Sequence, residues 1–386
     1  MVVTQLTEVG LGEDATGRVR LRVVGVGGCG CNAIDRMIRK GISGVEFIAM
    51  NTDAQVLDNC LADVKLQIGQ RATRGHGAGG NCEIGEQAAE ESMKEIEELL
   101  DGSHMVFLTA GMGGGTGTGA TPHIAKAARE AGAVTVGIVT SPFEYEGPIR
   151  NTQAEHGIEL LRKEVDTLIV IPNDRLRTLA EEDSTLTQMF DMANDVLLNA
   201  VDGICSLISS SGLINRDFQD VKTVITQGGG AMIGTGKASG QNRAAEAAKD
   251  AISGPLLDSI SIEGAKALLI HIQSSPDVRF NEFDEAVRTI TQAAGNQAHV
   301  FLGTSLHKEL GDEMKITVIA TGFGQPVNTE PEEMPFPSAK AGAPFPFNGR
   351  TGRENQPDPF HPVGSGSEIN RMGSNQVPPF LRNLID

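Results

Sequence analysis

Apolar residues alternate with polar ones along Arg18 to Val26 and give way to a glycine turn. Apolar positions at helical spacing follow over Asn32 to Lys40 (Ala33, Ile34, Met37, Ile38), and strand-like residues return over Val45 to Met50. This predicts a strand, glycine loop, helix, strand unit. The same grammar recurs with Met105 to Thr109 as strand, Gly111 to Gly119 as glycine loop, Pro122 to Glu130 as helix and Ala133 to Thr140 as strand. Two such units predict an open, mostly parallel Rossmann-like sheet flanked by helices, which binds ligands at the carboxyl ends of its strands. The two glycine loops are therefore expected to face one crevice.

Between the units, Glu83 to Leu100 places Ile84, Ala88, Met93, Ile96 and Leu100 on one face, as a single amphipathic helix would. Thr187 to Ser211 carries a wider apolar stripe through Phe190, Ala193, Leu197, Val201, Ile204 and Ile208, the mark of a central helix buried on several sides. Beyond it, strand-like segments at Val221 to Thr226, Ala267 to Ile272, His299 to Gly303 and Met314 to Thr321 alternate with helical patterns at Asn242 to Ile252 and Glu282 to Ala293. That predicts a second α/β domain. After Gly324 the composition changes, and 11 of the 17 prolines fall between Pro326 and Pro379. Such a segment buries too little apolar surface to offset its ordering entropy, so a disordered linker is expected, with a reach of roughly 40 Å if it is a flexible coil. The chain ends in a short apolar cluster from Val377 to Asp386, which reads either as a docking peptide or as a sticky tail without function.

Composition narrows the function. At 386 residues and 39% hydrophobic, the chain is long enough for two ordinary domains and a tail. A net charge of -18 opposes nucleic acid and anionic lipid. The five cysteines form no paired C-x-x-C set, which argues for free thiols in a reducing compartment and against a disulfide frame or a zinc site. Residues 1–17 are polar and acidic, a loose arm without the look of a signal peptide, and no apolar run approaches the ~20 residues of a membrane span. A cytoplasmic protein without membrane insertion is expected.

The first glycine loop, Gly25-Val-Gly-Gly-Cys-Gly30, fits G-x-G-x-x-G, with Glu46 and Asp53 about twenty residues on. Alone it suits a dinucleotide oxidoreductase or a purely structural turn. The second loop, Gly111-Met-Gly-Gly-Gly-Thr-Gly-Thr-Gly119, packs six glycines and two hydroxyls into nine residues before a helix. Packing suggests no need for that density, whereas phosphate binding does: bare backbone N-H groups close on oxygens, the helix N-terminus adds its dipole, and Thr116 or Thr118 supplies a hydroxyl. No Walker lysine accompanies either loop, and Gly234-Thr-Gly-Lys-Ala238 lacks the required spacing and hydroxyl. A third cluster, Asn215, Asp217 and Asp220, reads by itself more readily as a turn or helix cap than as a reactive site.

With its GGGTGTG loop the chain resembles the FtsZ family of tubulin-like cell-division GTPases, from about residue 18 to residue 324. The resemblance also rests on Val24 to Ala33, Asn51-Thr-Asp-Ala-Gln55, Pro142-Phe-Glu-Tyr-Glu-Gly147, Ile171-Pro-Asn-Asp174, Ala193-Asn-Asp195 and Asn215-Arg-Asp-Phe-Gln-Asp-Val221, in family order. It implies a GTP-binding domain over 18–186, a central helix over 187–212 and an activation domain over 213–324. A linker over 325–375 and a partner-binding peptide over 376–386 complete the implied order.

Position by position, the resemblance implies that Gly28, Cys29, Gly30, Cys31, Asn32, Gly113, Gly114, Gly115, Thr116 and Gly117 hold the phosphates. Glu146 and Arg150 would contact ribose and neighbouring groups, Asn173 sugar or base, Phe190 the purine face, and Asp195 the paired N-H donors of guanine. Asn215, Asp217 and Asp220 of one subunit would position water on the GTP of the next, with Mg²⁺ held through phosphates and water. Implied partners are further copies in head-to-tail filaments at the division site beneath the membrane, and membrane-tethering and regulatory division proteins bound through the C-terminal peptide. A non-hydrolysing scaffold is the rival within the family, disfavoured because all three catalytic-loop residues are present. The chain departs from the family pattern at Cys29 and Cys31 in place of glycine, at Tyr145 in place of Phe and at Arg216 in place of an apolar residue. A thiol beside the phosphates is expected to be oxidation sensitive.

Overall fold

The computed structural model describes residues 19–177, 183–209, 217–226, 230–254, 262–295 and 298–323. The expected arm, linker and C-terminal peptide lie outside these residues.

The first half runs β1 (Leu21–Val26), α1 (Gly27–Arg39), β2 (Glu46–Asn51), α2 (Ala54–Asn59), β3 (Val64–Gln67), α3 (Gln70–Thr73), α4 (Cys82–Glu91), α5 (Met93–Leu100), β4 (Met105–Gly111), α6 (Gly115–Glu130), β5 (Val134–Ser141), α7 (Pro148–Glu164), β6 (Thr167–Pro172) and α8 (Asn173–Leu176). The long α9 (Leu186–Ser209) follows, then α10 (Phe218–Thr226), β7 (Gly230–Ser239), α11 (Arg243–Ser253), β8 (Ala267–Ser274), α12 (Phe280–Ala294), β9 (His299–Leu306) and β10 (Glu313–Phe323).

All ten strands join in the order β3-β2-β1-β4-β5-β6-β7-β10-β8-β9. From β3 to β6 every pairing is parallel, as the repeated strand-loop-helix grammar requires. Strands β4 and β5 are buried almost throughout because helices cover both faces. One core lies between the sheet and α1, α9 and α10, and the other between the sheet and α4 to α7. The second half has its own core around β8, β10, α11 and α12; the sheet continues into it through two β6–β7 residue pairs, and Ala231, Ile233, Ala267, Leu269 and Ile319 join the core beneath α9. Helix α9 packs against strands of both halves, burying Leu197, Ala200, Val201 and Ile204. Among the described residues no helix is long and apolar enough to cross a membrane.

Two sequence expectations need correction. Val221 to Thr226 is helical, not a strand: Val221, Val224 and Ile225 are spaced for one helix face and all three are buried. The Glu83 to Leu100 segment is two helices that meet at Ser92, whose hydroxyl accepts from Gly69 N-H at 3.0 Å. That tie to the loop before α3 competes with continuing the helix.

Candidate functional site

Both glycine loops are shorter than the sequence suggests, because each helix begins on its loop. Strand β1 passes directly into α1 at Gly27, whose φ of 72° is left-handed, and β4 reaches α6 through a turn in which Gly113 has φ 93°. Neither N-cap residue, Val26 or Gly114, supplies a side-chain hydrogen bond to its helix. Two helix N-termini therefore present backbone N-H donors, and their positive dipole ends, to one crevice at the carboxyl edge of the sheet.

The crevice is a cleft of about 510 Å³. Gly28, Cys29 and Asn32 line it from α1, and Gly115, Thr116 and Gly117 from α6, with Gly114 just before that helix. Glu146, Arg150, Asn173 and Phe190 close the far side. The structure thus brings together eleven of the residues singled out in the sequence.

Other expected residues sit differently. Gly30 and Cys31 do not line the cleft: a Cβ on Gly30 would lie 2.5 Å from the Thr109 carbonyl, and Cys31 is 1% exposed with its Sγ 3.9 Å from Asn51 Nδ2. Gly113 shapes the turn behind the cleft, where a Cβ would come within 2.8 Å of the Arg150 carbonyl. Asp195 is not among the lining residues and is held by the Arg36 guanidinium from α1.

Packing, contrary to expectation, accounts for much of the second loop's glycine. A Cβ on Gly111, Gly115, Gly117 or Gly119 would lie 2.0 to 2.9 Å from neighbouring atoms, whereas one on Gly114 would meet nothing within 4 Å. Gly114 and Gly28 are the open positions, where a side chain would fill the cradle itself. The two hydroxyls also divide their work. Thr118 Oγ1 accepts from Gly113 N-H at 2.8 Å and fixes the turn, while Thr116, 2.6 Å from the Thr52 hydroxyl, lines the cleft.

Glu146 and Arg150 form an ion pair with each other at the cleft wall, and Glu146 Oε1 also accepts from Phe143 N-H at 3.0 Å. Among the described residues that line the cleft, Glu146 is the only carboxylate. Asn173 is 6% exposed, yet its amide oxygen has no hydrogen-bond partner among the described residues, so a buried acceptor faces a cleft that can hold a donor-bearing ligand. The Phe190 ring is 43% exposed and edge-on to Phe143 at 5.7 Å, leaving a face free for stacking. The Cys29 thiol, 3.9 Å from Thr140 Oγ1, is pushed above the usual thiol range by burial, which opposes the expected oxidation sensitivity.

Asp217 caps α10, its Oδ1 accepting from Asp220 N-H at 2.8 Å. That is the role its residue type alone suggests. Neither Asp217 nor Asp220 lines the cleft, and Asn215 lies outside the described residues. Sequence reasoning missed Thr140 and Pro142, which line the cleft from the end of β5; their position at the carboxyl end of a central parallel strand is the signal that marks them.

Comparison with known proteins agrees with this geometry. Residues 20–181 match the GTPase domain of the tubulin/FtsZ family, and residues 229–324 match the C-terminal domain of the FtsZ family. An empty FtsZ dimer from M. jannaschii superposes with a TM-score of 0.76 at 43% identity, over 79% of this chain and 88% of that one. GDP-bound CetZ1 from Haloferax volcanii shares the fold, with a TM-score of 0.68 at 23% identity over 80% of this chain and 96% of that one. CetZ2 of the same organism, a GTPgS-bound protofilament, has a TM-score of 0.66 at 22% identity over 79% and 93%. Matched in both its halves and at high identity, the chain belongs to the FtsZ family.

Proposed function

We propose that this chain is a GTPase that polymerises head to tail into the division ring, with each GTP hydrolysed at the joint between consecutive subunits. The observation that carries the reading is the division of chemistry. Among the described residues, the cleft holds two uncapped helix N-termini and a buried unpaired amide oxygen, but its only carboxylate is tied to Arg150. The carboxylates suited to orienting water stand elsewhere, at Asp217 and Asp220.

In this reading the N-H groups that line the cleft, at Gly28 and Cys29 and from Gly114 to Gly117, grip the phosphates, Asn32 adds its side-chain amide and Thr116 its hydroxyl. Glu146 accepts from the ribose hydroxyls while Arg150 balances its charge. Asn173 Oδ1 takes a donor from sugar or base, Phe190 stacks on the purine, and Asp195 accepts the N1-H and N2-H of guanine, a pair that adenine lacks. Magnesium carried by the phosphates would neutralise charge as it develops. A cleft with so little carboxylate suits an ion held through phosphate and water rather than by side chains.

Asp217 and Asp220 of the next subunit, with Asn215 beside them, orient and polarise the attacking water. A joint that pairs one subunit's cleft with another's α10 end is heterologous, and repetition of such a contact without ring closure makes a filament. The C-terminal peptide binds membrane-tethering and regulatory division proteins and places the filament beneath the membrane at the division site. Phosphate release measured per molecule across a protein dilution series tests the reading. A threshold and a steep rise above it are expected; equal rates per molecule in dilute and concentrated samples would exclude catalysis at the joint.

A further inference from the structure

We infer that Cys31 and Cys60 form a reversible intramolecular disulfide, a modification site directly beneath the first glycine loop. The fold brings these two of the five cysteines together from positions 29 residues apart. Cys31 lies in the first turns of α1 on the side away from the cleft, and Cys60 is the C-cap of α2. Cys60 Sγ is 3.9 Å from the Cys31 carbonyl and 3.2 Å from Asp35 Oδ1. Asp35 also accepts Leu61 N-H at 2.7 Å, which fixes its carboxylate against the loop.

The surroundings assign different roles to the sulfurs. Asp35, which accepts the Cys60 S-H, opposes charge on that sulfur, and Asn51 Nδ2, 3.9 Å from Cys31 Sγ, favours charge on the other. The Cys60 thiol is held below its usual range, chiefly by the hydrogen bond that Cys31 donates to it, and Cys31 is raised as the donor. Cys60 is itself 4% exposed, but its chain neighbours Asn59 and Leu61 are exposed and its backbone is extended, so only a surface loop separates it from solvent.

With a peroxide as oxidant, the Cys60 thiolate attacks one oxygen, the O–O bond breaks, and the departing hydroxide is protonated to water. Cys60 is then a sulfenic acid. The Cys31 sulfur attacks the Cys60 sulfur, the S–O bond breaks, and a second water leaves as the disulfide forms. Two thiols and one peroxide give one disulfide and two waters. In a reducing compartment the bond is transient, which suits a site that answers an oxidative episode.

The test uses the full reduced chain and a few-fold excess of hydrogen peroxide. Free thiols are counted in denaturant, and an unreduced peptide digest is mapped by mass spectrometry. The expected result is a fall from five thiols to three, a cross-linked peptide pair containing Cys31 and Cys60, and recovery of all five on adding dithiothreitol. Cys60→Ser keeps a hydroxyl beside Asp35 and should form no cross-link through Cys31. The inference fails if the wild-type map shows Cys31 paired elsewhere or unpaired. It fails equally if Cys60 proceeds to sulfinic acid while Cys31 remains a thiol. The wild-type map decides the matter even if the variant folds poorly.

Discussion

Arg36 grips both carboxylate oxygens of Asp195, with Nε 2.8 Å from Oδ1 and Nη2 2.7 Å from Oδ2, and its Nη1 reaches Asp191 at 3.2 Å. The fork fixes the plane of the Asp195 carboxylate and ties α9 to α1, the helix that begins on the first glycine loop. Asp195 keeps a side-chain exposure of 40%, so lone pairs remain for a ligand. Under the proposed function, in which Asp195 reads the base and the start of α1 grips phosphate, this pair couples the two ends of the nucleotide.

Arg36→Gln should therefore weaken guanine selectivity more than phosphate binding. A charge-assisted pair at this exposure is worth about 1 kcal/mol, or roughly a fivefold change in affinity. Calorimetric titration with GTP and ATP checks it. The GTP:ATP affinity ratio should fall, and an unchanged ratio would show that Asp195 needs no orienting partner.

Two glycines in the second loop should respond oppositely to alanine. Gly119→Ala places a Cβ 2.0 Å from the Cys82 carbonyl, across the tight α4–α6 contact, and should destabilise the fold by about 1–3 kcal/mol with a matching drop in thermal midpoint. Gly114→Ala meets nothing, at a backbone φ of -90° that any residue adopts, and should leave the midpoint nearly unchanged while nucleotide affinity falls. Should both variants melt alike with affinity intact, Gly114 does not face the ligand.

The same contrast explains what was legible in the sequence. Strands β1, β4 and β5 declare themselves because burial selects β-branched and aliphatic residues along them, the polar ones on β4 and β5 being mostly threonines such as Thr109, Thr135 and Thr140. Val221 to Thr226 misleads because β-branched residues at i, i+3 and i+4 also look strand-like over six positions. Strand β7 escapes notice because Gly230, Gly234 and Gly236 dilute its apolar signal; at Gly236 a Cβ would lie 2.0 Å from the Ala247 carbonyl of α11. The residue types of the site were readable, but their facing was not. Starting α1 at Gly27 instead of Asn32 sends Gly28, Cys29 and Asn32 to the cleft and turns Gly30 and Cys31 inward. Arg36 could not be found at all, since its partner lies 159 residues away.

Burial of His271 predicts an acid sensitivity in the second half of the molecule. Its Nε2 is 2.7 Å from Ser305 Oγ and its Nδ1 has no partner among the described residues; Lys315 and His307 oppose a positive charge there, and Asp202 favours one. Burial wins, and the imidazole is lowered to about 4. The folded value lies below the unfolded one, so the unfolded chain binds the extra proton as pH falls below ~6.5, and stability drops progressively toward pH 4. The full loss is on the order of 3 kcal/mol. Urea midpoints between pH 7.5 and 5, above the range where carboxylates titrate, should fall more in the wild type than in His271→Gln. Parallel slopes would assign the acid sensitivity elsewhere.

The sharpest test of catalysis at the joint uses two inactive variants together. Asp217 caps α10 through Oδ1, and asparagine caps a helix nearly as well, so Asp217→Asn should fold normally and lose hydrolysis only. Gly114→Ala keeps Asp217 and Asp220 but has a filled cradle. Each variant alone should hydrolyse GTP slowly. When the two are mixed, a joint made from the Asp217→Asn cleft and the Gly114→Ala α10 end contains every required group. In an equal, randomly mixed filament roughly a quarter of the joints have that composition, and GTP turnover should reappear in proportion. If mixing restores nothing while light scattering shows that the two co-assemble, the carboxylates act within their own subunit and the division of labour between neighbours is wrong.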